Sequence, residues 1–434
     1  MHRIPIFVVL SLITACAPET GDVRVAPPTG DPEADRGAVL AALEVAAPGT
    51  TVRFAPGRYR LGGPVQVTTP GLTLQGDPEG TVLESCDPAA LDDFPTSAMS
   101  CDALELVGGL QTVRGMTFEG SWHGVVVGCC QPRTMAELGT FMTEEPPDPG
   151  PGGAVIQNNV FRGVSTAVRV LTLNDSTVVR DNLFEDVGHA ISINGNDIRF
   201  EDNSVVVVDP TRVPVYGGPL TAVALSPRQP GGCRSNVVAR NRIEGYPQAV
   251  GIQVATAGAD CRDNVVEGNT IVVAPVLYRR PLPSLEVGDP ADSSFVDVPI
   301  LLVDLLPPPD DDEEARITGT RIEQNHVVGA RGLAIELDGA SRSWIMGNAI
   351  EGVERRDPFP GNTDRVLRWG VANGAAIWVS YGSRQNDILD NVFEGVAGPS
   401  IYLQGRDNRV RVQNVGEVTN RGEGNRIEPG EVGG

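Results

Sequence analysis

The chain contains no lysine. All 34 of its cationic residues are arginine, set against 56 Asp and Glu for a formal charge of −22 at pH 7. That absence excludes Schiff-base and lysine-base chemistry, and the acidic balance leaves no basic stripe for a nucleic-acid backbone. A polyanionic glycan would be repelled unless a divalent cation bridged it. Aromatic residues make up only 5% of the 434 positions, while Gly reaches 51 and Pro 35, which argues against a helical bundle and for strands and turns. Beyond the N-terminal leader, no apolar run is long enough to form a transmembrane helix.

What is present is a repeated phrase: a hydrophobic strand, then Asn, one residue, and Phe, Val or Ile. Asn159-Val160-Phe161, Asn182-Leu183-Phe184 and Asn391-Val392-Phe393 are examples, and the same Asn recurs at 203, 241, 269, 325, 348 and 414. From 159 to 182 is 23 residues, and from 182 to 203 is 21. A period near twenty, with short strands and turn glycines, marks stacked single-coil repeats, because one coil cannot bury its own apolar face. Aligned on the Asn, each coil has three strands: a first such as Ala190 to Asn194, a second such as Ile198 to Asp202, and a third such as Leu183 to Val187. The Asn itself then stacks from coil to coil as a hydrogen-bonded ladder.

The N-terminal segment carries a targeting signal: His2 and Arg3, an apolar run from Ile4 to Ile13, then Thr14-Ala15-Cys16. It resembles a bacterial lipoprotein signal, which implies lipidation of Cys16 after cleavage; the alternative is an ordinary secretory signal with an incidental Cys. Residues 17–33 are expected to be a flexible tether, 34–428 the repeat domain and 429–434 a tail. The folded part then sits in the cell envelope, facing periplasm or exterior, with the membrane contacted only through lipid.

Six further cysteines lie in a compartment that permits disulfides. Cys233 and Cys261 occupy the same place in successive coils, so their backbones should lie about 4.8 Å apart, within disulfide reach. Cys86 and Cys101 bracket a loop and are expected to close its neck, leaving Cys129 and Cys130 without an obvious partner.

Ahead of the repeats, Asp35 to Ala47 reads as a capping helix, followed by Thr51-Val52-Arg53-Phe54, Pro56-Gly57-Arg58-Tyr59-Arg60-Leu61 and Gly71-Leu72-Thr73-Leu74-Gln75-Gly76. Together these segments resemble the N-terminal region of pectate-lyase-like right-handed parallel β-helices. The resemblance implies an all-β, single-stranded right-handed parallel β-helix with an N-terminal capping helix. It also implies a substrate cleft over the sheet of first strands. The family includes lyases, hydrolases, epimerases and non-catalytic surface proteins, so it does not select an activity.

Insertions point to the same sheet. Residues 206–219, 274–298 and 354–374 enter just before a first strand, and 129–153 and 307–316 leave just after one, while the Asn turn is never interrupted. Loops of this length are expected to wall a groove. With Val168, Val250, Leu301, Ile335, Ile377 and Ile401 facing the core, strand alternation sets Arg169, Glu336, Trp378 and Tyr402 in one outward column. The next holds Gln253, Asp304, Asp338, Ser380 and Gln404. Carboxylates beside aromatics and amides suit a sugar: Arg169, Gln253, Trp378, Tyr402 and Gln404 as binding residues, with Asp304, Glu336 and Asp338 as acid, base or cation ligands. On adjacent rungs Asp304 and Asp338 would lie about 4.8 Å apart at the backbone, near the roughly 5 to 5.5 Å of retaining glycosidases, and could instead hold a calcium ion.

His123 and His189 are expected to face the groove two coils apart, too far to share one ion; His326 follows a ladder Asn and reads as surface. The run Asp310-Asp311-Asp312-Glu313-Glu314 reads as a solvated loop. The Asn-Thr-Asp, Asp-Asp and Gly-His-Gly set of polygalacturonases is missing as a set, as is the Tyr-Gly-Phe-Asp-Pro-His segment of alginate epimerases. The expected function is therefore a lipid-anchored, monomeric β-helix that binds a polysaccharide or other glycan without catalysis and without nucleic acid. The alternative is a polysaccharide lyase or glycoside hydrolase using the carboxylate cluster. No cofactor is certain, and calcium is the one considered.

Overall fold

The computed structural model describes residues 21–86, 101–128, 152–171, 176–214, 220–227, 231–273, 298–306, 315–355, 372–413 and 417–430. Cys16, Cys129, Cys130, Asn414, the acidic run 310–314 and most of the expected groove insertions fall outside them.

Short strands follow one another around three long sheets, so that each sheet gathers one strand from every coil. Strands such as Ile300–Asp304 build a twelve-stranded first sheet, Arg199–Glu201 belongs to a fourteen-stranded second sheet, and Leu183–Glu185 to an eleven-stranded third. Neighbouring coils pair in parallel and in register, as in Phe118 beside Phe161 beside Phe184. The chain thus folds as a right-handed parallel β-helix, with one apolar core running down the middle. A minor three-stranded sheet through Cys261–Arg262, Ile317–Thr318 and Ala340–Ser341 fills one corner.

The repeated Asn makes the coil. Asn182 donates from its backbone and its amide to the Asn203 Oδ1 (3.0 and 3.1 Å), and Asn203 does the same to Asn241 (3.0 and 3.1 Å). The chain of bonds continues through Asn269, Asn325 and Asn348 to Asn391. Each ladder Asn follows a residue in the left-handed region, among them Asp181 (φ 55°), Asp202 (φ 57°) and Arg240 (φ 53°). One such residue turns the chain from second to third sheet in two residues, a conformation that Asp and Asn tolerate and that Arg240 adopts against its preference. Behind the turn, Phe118, Phe161 and Phe184 stack with ring centroids 4.8 and 5.0 Å apart, which spaces the core to the rung repeat.

A helix occupies Pro32–Val45, three residues earlier than expected, because Asp31 accepts from the Ala34 N–H at its start and Pro32 fits the first turn. Its Val39 and Leu43 join the core and it packs against the first strands. The stretch expected to be a flexible tether is ordered over its described part: Val23–Arg24 pairs with Thr51–Arg53, and Val25 is buried. The apolar side chains of Val23 and Val25 find partners in the first coil, which polar tether residues would not. Both argued disulfides are present, Cys86–Cys101 and Cys233–Cys261, with Cα atoms 5.5 and 4.5 Å apart. They place the folded part outside the reducing cytoplasm. Among the described residues no helix is long and apolar enough to cross a membrane.

Candidate functional site

The long sequence separations between consecutive strands fall beside the first sheet, as from Val272 to Ile300 and from Glu351 to Ala375, whereas the second-to-third-sheet turns are short, for example from Glu201 to Ser204 and from Glu323 to His326. The outer face of the first sheet is therefore the candidate site. Its middle column runs Glu105, Val126, Arg169, Ser192, Ala224, Gly251, Leu301, Glu336, Trp378 and Tyr402, as the pairing register requires.

That register corrects one expectation. Ile300, not Leu301, faces the core and pairs with Val250 and Ile335, so Val303 takes the outward place opposite Gln253 and Asp338. Asp304 falls one position later, beside Gly339, where a Cβ would come within 2.7 Å of its own. Its side chain is 2% exposed, accepts from Arg316 Nη1 at 2.7 Å and from the Leu306 N–H at 3.1 Å. Four consecutive aliphatic residues, Ile300 to Val303, hide the parity from sequence, and a slip of one residue turns a side chain to the other face. Asp304 and Asp338 therefore do not face each other as a carboxylate pair or as joint calcium ligands. Asp338 is instead bonded by the Ser380 hydroxyl.

Glu336 does lie in the outward column, at 4% exposure. Beyond it Trp378 (2%) and Tyr402 (7%) pack with Val298, Leu333, Ala372 and Ala375 into a second apolar cluster outside the main core. Trp378 Nε1 donates to Gln404 Oε1 at 2.9 Å. The two rings and the amide expected to bind sugar are thus packed together, and neither ring offers a face to solvent. Among the expected binding residues Arg169 and Gln253 remain partly exposed, as does Asp338.

The other end of the sheet holds a charged group that sequence reasoning missed. His123 is buried, its Nδ1–H donates to Asp102 Oδ1 at 2.6 Å, and Arg169 Nη1 donates to its Nε2 at 3.2 Å. Arginine has no acceptor, so this contact fixes the neutral tautomer with the proton on Nδ1. Burial pushes the His123 pKa below its ordinary value, against the pull of Asp102. Asp102 is held by its backbone: its carbonyl accepts from Ser85 Oγ at 2.7 Å, and the neighbouring Cys101 closes the disulfide. Glu105 accepts from Gln66 Nε2 at 2.7 Å nearby. Asp102 precedes its strand by two residues, and nothing in its local sequence announces the partnership across the rung.

Between the two charged ends lie the strands His189–Ile193, Thr221–Leu225 and Gln248–Val254. Each begins with a polar residue, then Ala, then an aliphatic: His189-Ala190-Ile191, Thr221-Ala222-Val223 and Gln248-Ala249-Val250. The Ala and the aliphatic are both fully buried, so simple alternation fails at this corner of the coil. The corner is tight: at the equivalent Gly124 a Cβ would meet the Phe161 ring at 2.8 Å. The polar residue is thereby turned to the outer face. His189 Nδ1 donates to the Thr221 carbonyl at 2.6 Å, and Thr221 Oγ1 donates to Gln248 Oε1 at 2.6 Å. Burial and the nearby Arg169 push the His189 pKa down as well, so its ring is neutral. Gln248 is 1% exposed, and among the described residues its Nε2 has no hydrogen-bond partner. That amide lies over Gly251, where an added Cβ would come within 2.8 Å of it.

Among the described residues no group of three or more His, Cys, Asp or Glu is placed to hold a metal ion. No protein-family model and no curated protein matches the chain. Solved structures do resemble it. The Agl-KA catalytic domain superposes with a TM-score of 0.52 at 13% identity, over 95% of this chain and 69% of that one. The catalytic unit of a thermostable GH87 alpha-1,3-glucanase from Streptomyces thermodiastaticus gives 0.48 at 15% identity, over 95% and 70%. PfbA, a surface adhesin of Streptococcus pneumoniae, gives 0.48 at 12%, over 94% and 91%. At such identities the likeness is one of fold.

Proposed function

We propose that this protein is a β-helix of the cell envelope, tethered through a lipidated Cys16, that binds a polysaccharide along the outer face of its first sheet without catalysis. The observation that carries this reading is the fate of the carboxylates. Asp304 is locked to Arg316, Asp338 is tied to Ser380 and Glu336 is buried, so among the described residues these three carboxylates do not stand as acid and base across a common substrate position. What the sheet offers instead is a row of half-exposed amide, hydroxyl and guanidinium groups, including Arg169, Ser192 and Gln253, beside which every sequence insertion falls. Such groups hydrogen-bond sugar hydroxyls and fix orientation. The protein acts as a monomer and does not bind nucleic acid, in keeping with its net charge of −22. Calcium, in this reading, serves only to bridge an acidic ligand.

The test is affinity electrophoresis of the purified protein through a panel of acidic and neutral polysaccharides, with and without calcium, alongside an assay for released reducing or unsaturated sugar ends. Retardation without release is expected. Release of sugar ends that is lost in Glu336→Gln or Asp338→Asn would establish the lyase or hydrolase alternative, and no retardation on any polymer would remove the glycan reading.

A further inference from the structure

Nine outward residues cover three successive rungs of the first sheet: His189, Ser192 and Asn194, then Thr221, Ala224 and Ser226, then Gln248, Gly251 and Gln253. None of the nine is a carboxylate or a guanidinium, in a chain that carries 56 acidic and 34 basic residues. Charge begins on either side, with Arg169, His123 and Asp102 at one end and Glu336 and Asp338 at the other. The next rung after Gly251 contributes Leu301, a half-exposed apolar side chain. The floor of this stretch is low: Ser192, Ala224 and Gly251 raise almost nothing above the backbone.

Two groups along one edge have unused hydrogen-bonding capacity of opposite sense. With Nδ1–H given to the Thr221 carbonyl, His189 presents Nε2 as an acceptor. Two rungs on, Gln248 presents Nε2–H as a donor, buried above Gly251 and unpartnered among the described residues. A buried donor without a partner is costly to leave unmade, so it is retained where something else satisfies it. Acceptor and donor in line, with no charge between them, match a hydroxyl-bearing chain and reject an anionic one. A carboxylate set against Gln253 and Asn194 would be desolvated without a counter-charge.

We propose that these three rungs are the ligand-reading segment of the groove and that they take an uncharged glycan, lying along the helix axis with its hydroxyls on His189 Nε2 and Gln248 Nε2. The rung spacing of about 4.8 Å is close to one sugar unit of an extended chain, so three rungs accommodate about three units. Leu301 then supplies an apolar surface for the face of the next ring. This inference rests on the glycan-binding reading above and narrows it to a ligand class and to named contacts.

Calorimetric titration of the purified protein with cellohexaose, laminarihexaose, maltohexaose, xylohexaose and hexagalacturonate, at low and high salt, tests it. Binding of at least one neutral oligosaccharide with little salt dependence is expected, because no counterions are released. Gln248→Met, which keeps the shape and removes the donor, should weaken that binding about tenfold, as should His189→Phe. Gly251→Ala, which pushes the Gln248 amide aside, should weaken it by a similar factor while leaving the unfolding temperature close to wild type. Binding of hexagalacturonate alone would overturn the inference and leave the glycan reading standing. Neutral binding that survives Gln248→Met and Gly251→Ala alike would also overturn it, by placing the ligand elsewhere. No binding of any oligosaccharide, together with no retardation on polymers, would remove the reading on which it rests.

Discussion

At the residue scale, the buried imidazoles set how the protein answers acid. His123 and His189 are held neutral in the fold, chiefly by burial. A histidine whose folded pKa lies below its unfolded value of about 6.5 binds its proton more readily in the unfolded chain, so stability falls as pH drops through and below that value. The urea midpoint is therefore expected to be lower at about pH 5.5 than at about pH 7.5. His123→Gln, which retains a donor for Asp102 and an acceptor for Arg169, should flatten part of that slope. An equal midpoint at both pH values would contradict the neutral assignment. Asp35 behaves oppositely: burial alone would raise its pKa, but hydrogen bonds from Thr29, Arg60 and Gly30 outweigh it and hold the carboxyl low. Its contribution is present above about pH 3.8 and lost only below it. The sequence showed both histidines facing outward but not the Asp102 and Arg169 contacts that lock His123, because those partners come from other coils.

At the element scale, the two-residue Asn turn is the unit on which the coils are built. Asn241 accepts from the backbone and the amide of Asn203, and donates to the Phe200 carbonyl (2.9 Å) and to Asn269 (3.0 Å). Replacing it by Ala leaves several buried groups without partners at once, so Asn241→Ala should cost about 3–5 kcal/mol. Asn159, the first Asn of the ladder, accepts from the Met116 N–H (3.1 Å) and donates its amide to the Val113 carbonyl (3.0 Å) and to Asn182 (3.2 Å), one accepted bond fewer than Asn241, so its loss should cost less. Urea unfolding of the two variants checks the order; equal losses would mean that the ladder bonds act independently of their neighbours. The ladder was legible in the sequence because its period is nearly constant where no insertion intervenes. The strand parity at Ile300 to Val303 was not, since every residue there is apolar and either face could turn inward.

At the scale of the whole molecule, the absence of lysine has a structural counterpart. Arg58 reaches Glu84 and Glu119 at 2.8 Å each, spanning two rungs of the third sheet with one guanidinium, and Arg240 spans Glu201 and Asp202. A forked cation bridges rungs in a way that a single ammonium does less well, although such exposed pairs are each worth little. These arginines sit away from the first sheet and leave its central strip uncharged. The proposed anchor belongs to this scale too. Expressed with its leader in a bacterial host, the protein should partition into the detergent phase of a Triton X-114 extraction, and Cys16→Ala should move it to the aqueous phase. A wild-type protein found wholly in the aqueous phase would rule out lipidation at Cys16.

By itself the sequence determined the coil. The Asn period, the inward aliphatics, the two disulfide pairs and the sheet that the insertions flank all follow from local spacing, because a repeat whose neighbours are copies of itself turns sequence distance into spatial distance. Only the tertiary structure decided what the outer face of that sheet can do. The register at Asp304, the packing of Trp378 against Tyr402 and the Gln248 amide left unpartnered among the described residues each depend on side chains from different coils meeting at angstrom precision. A shift of one residue, invisible in an all-apolar strand, moves a carboxylate out of the groove and into an ion pair.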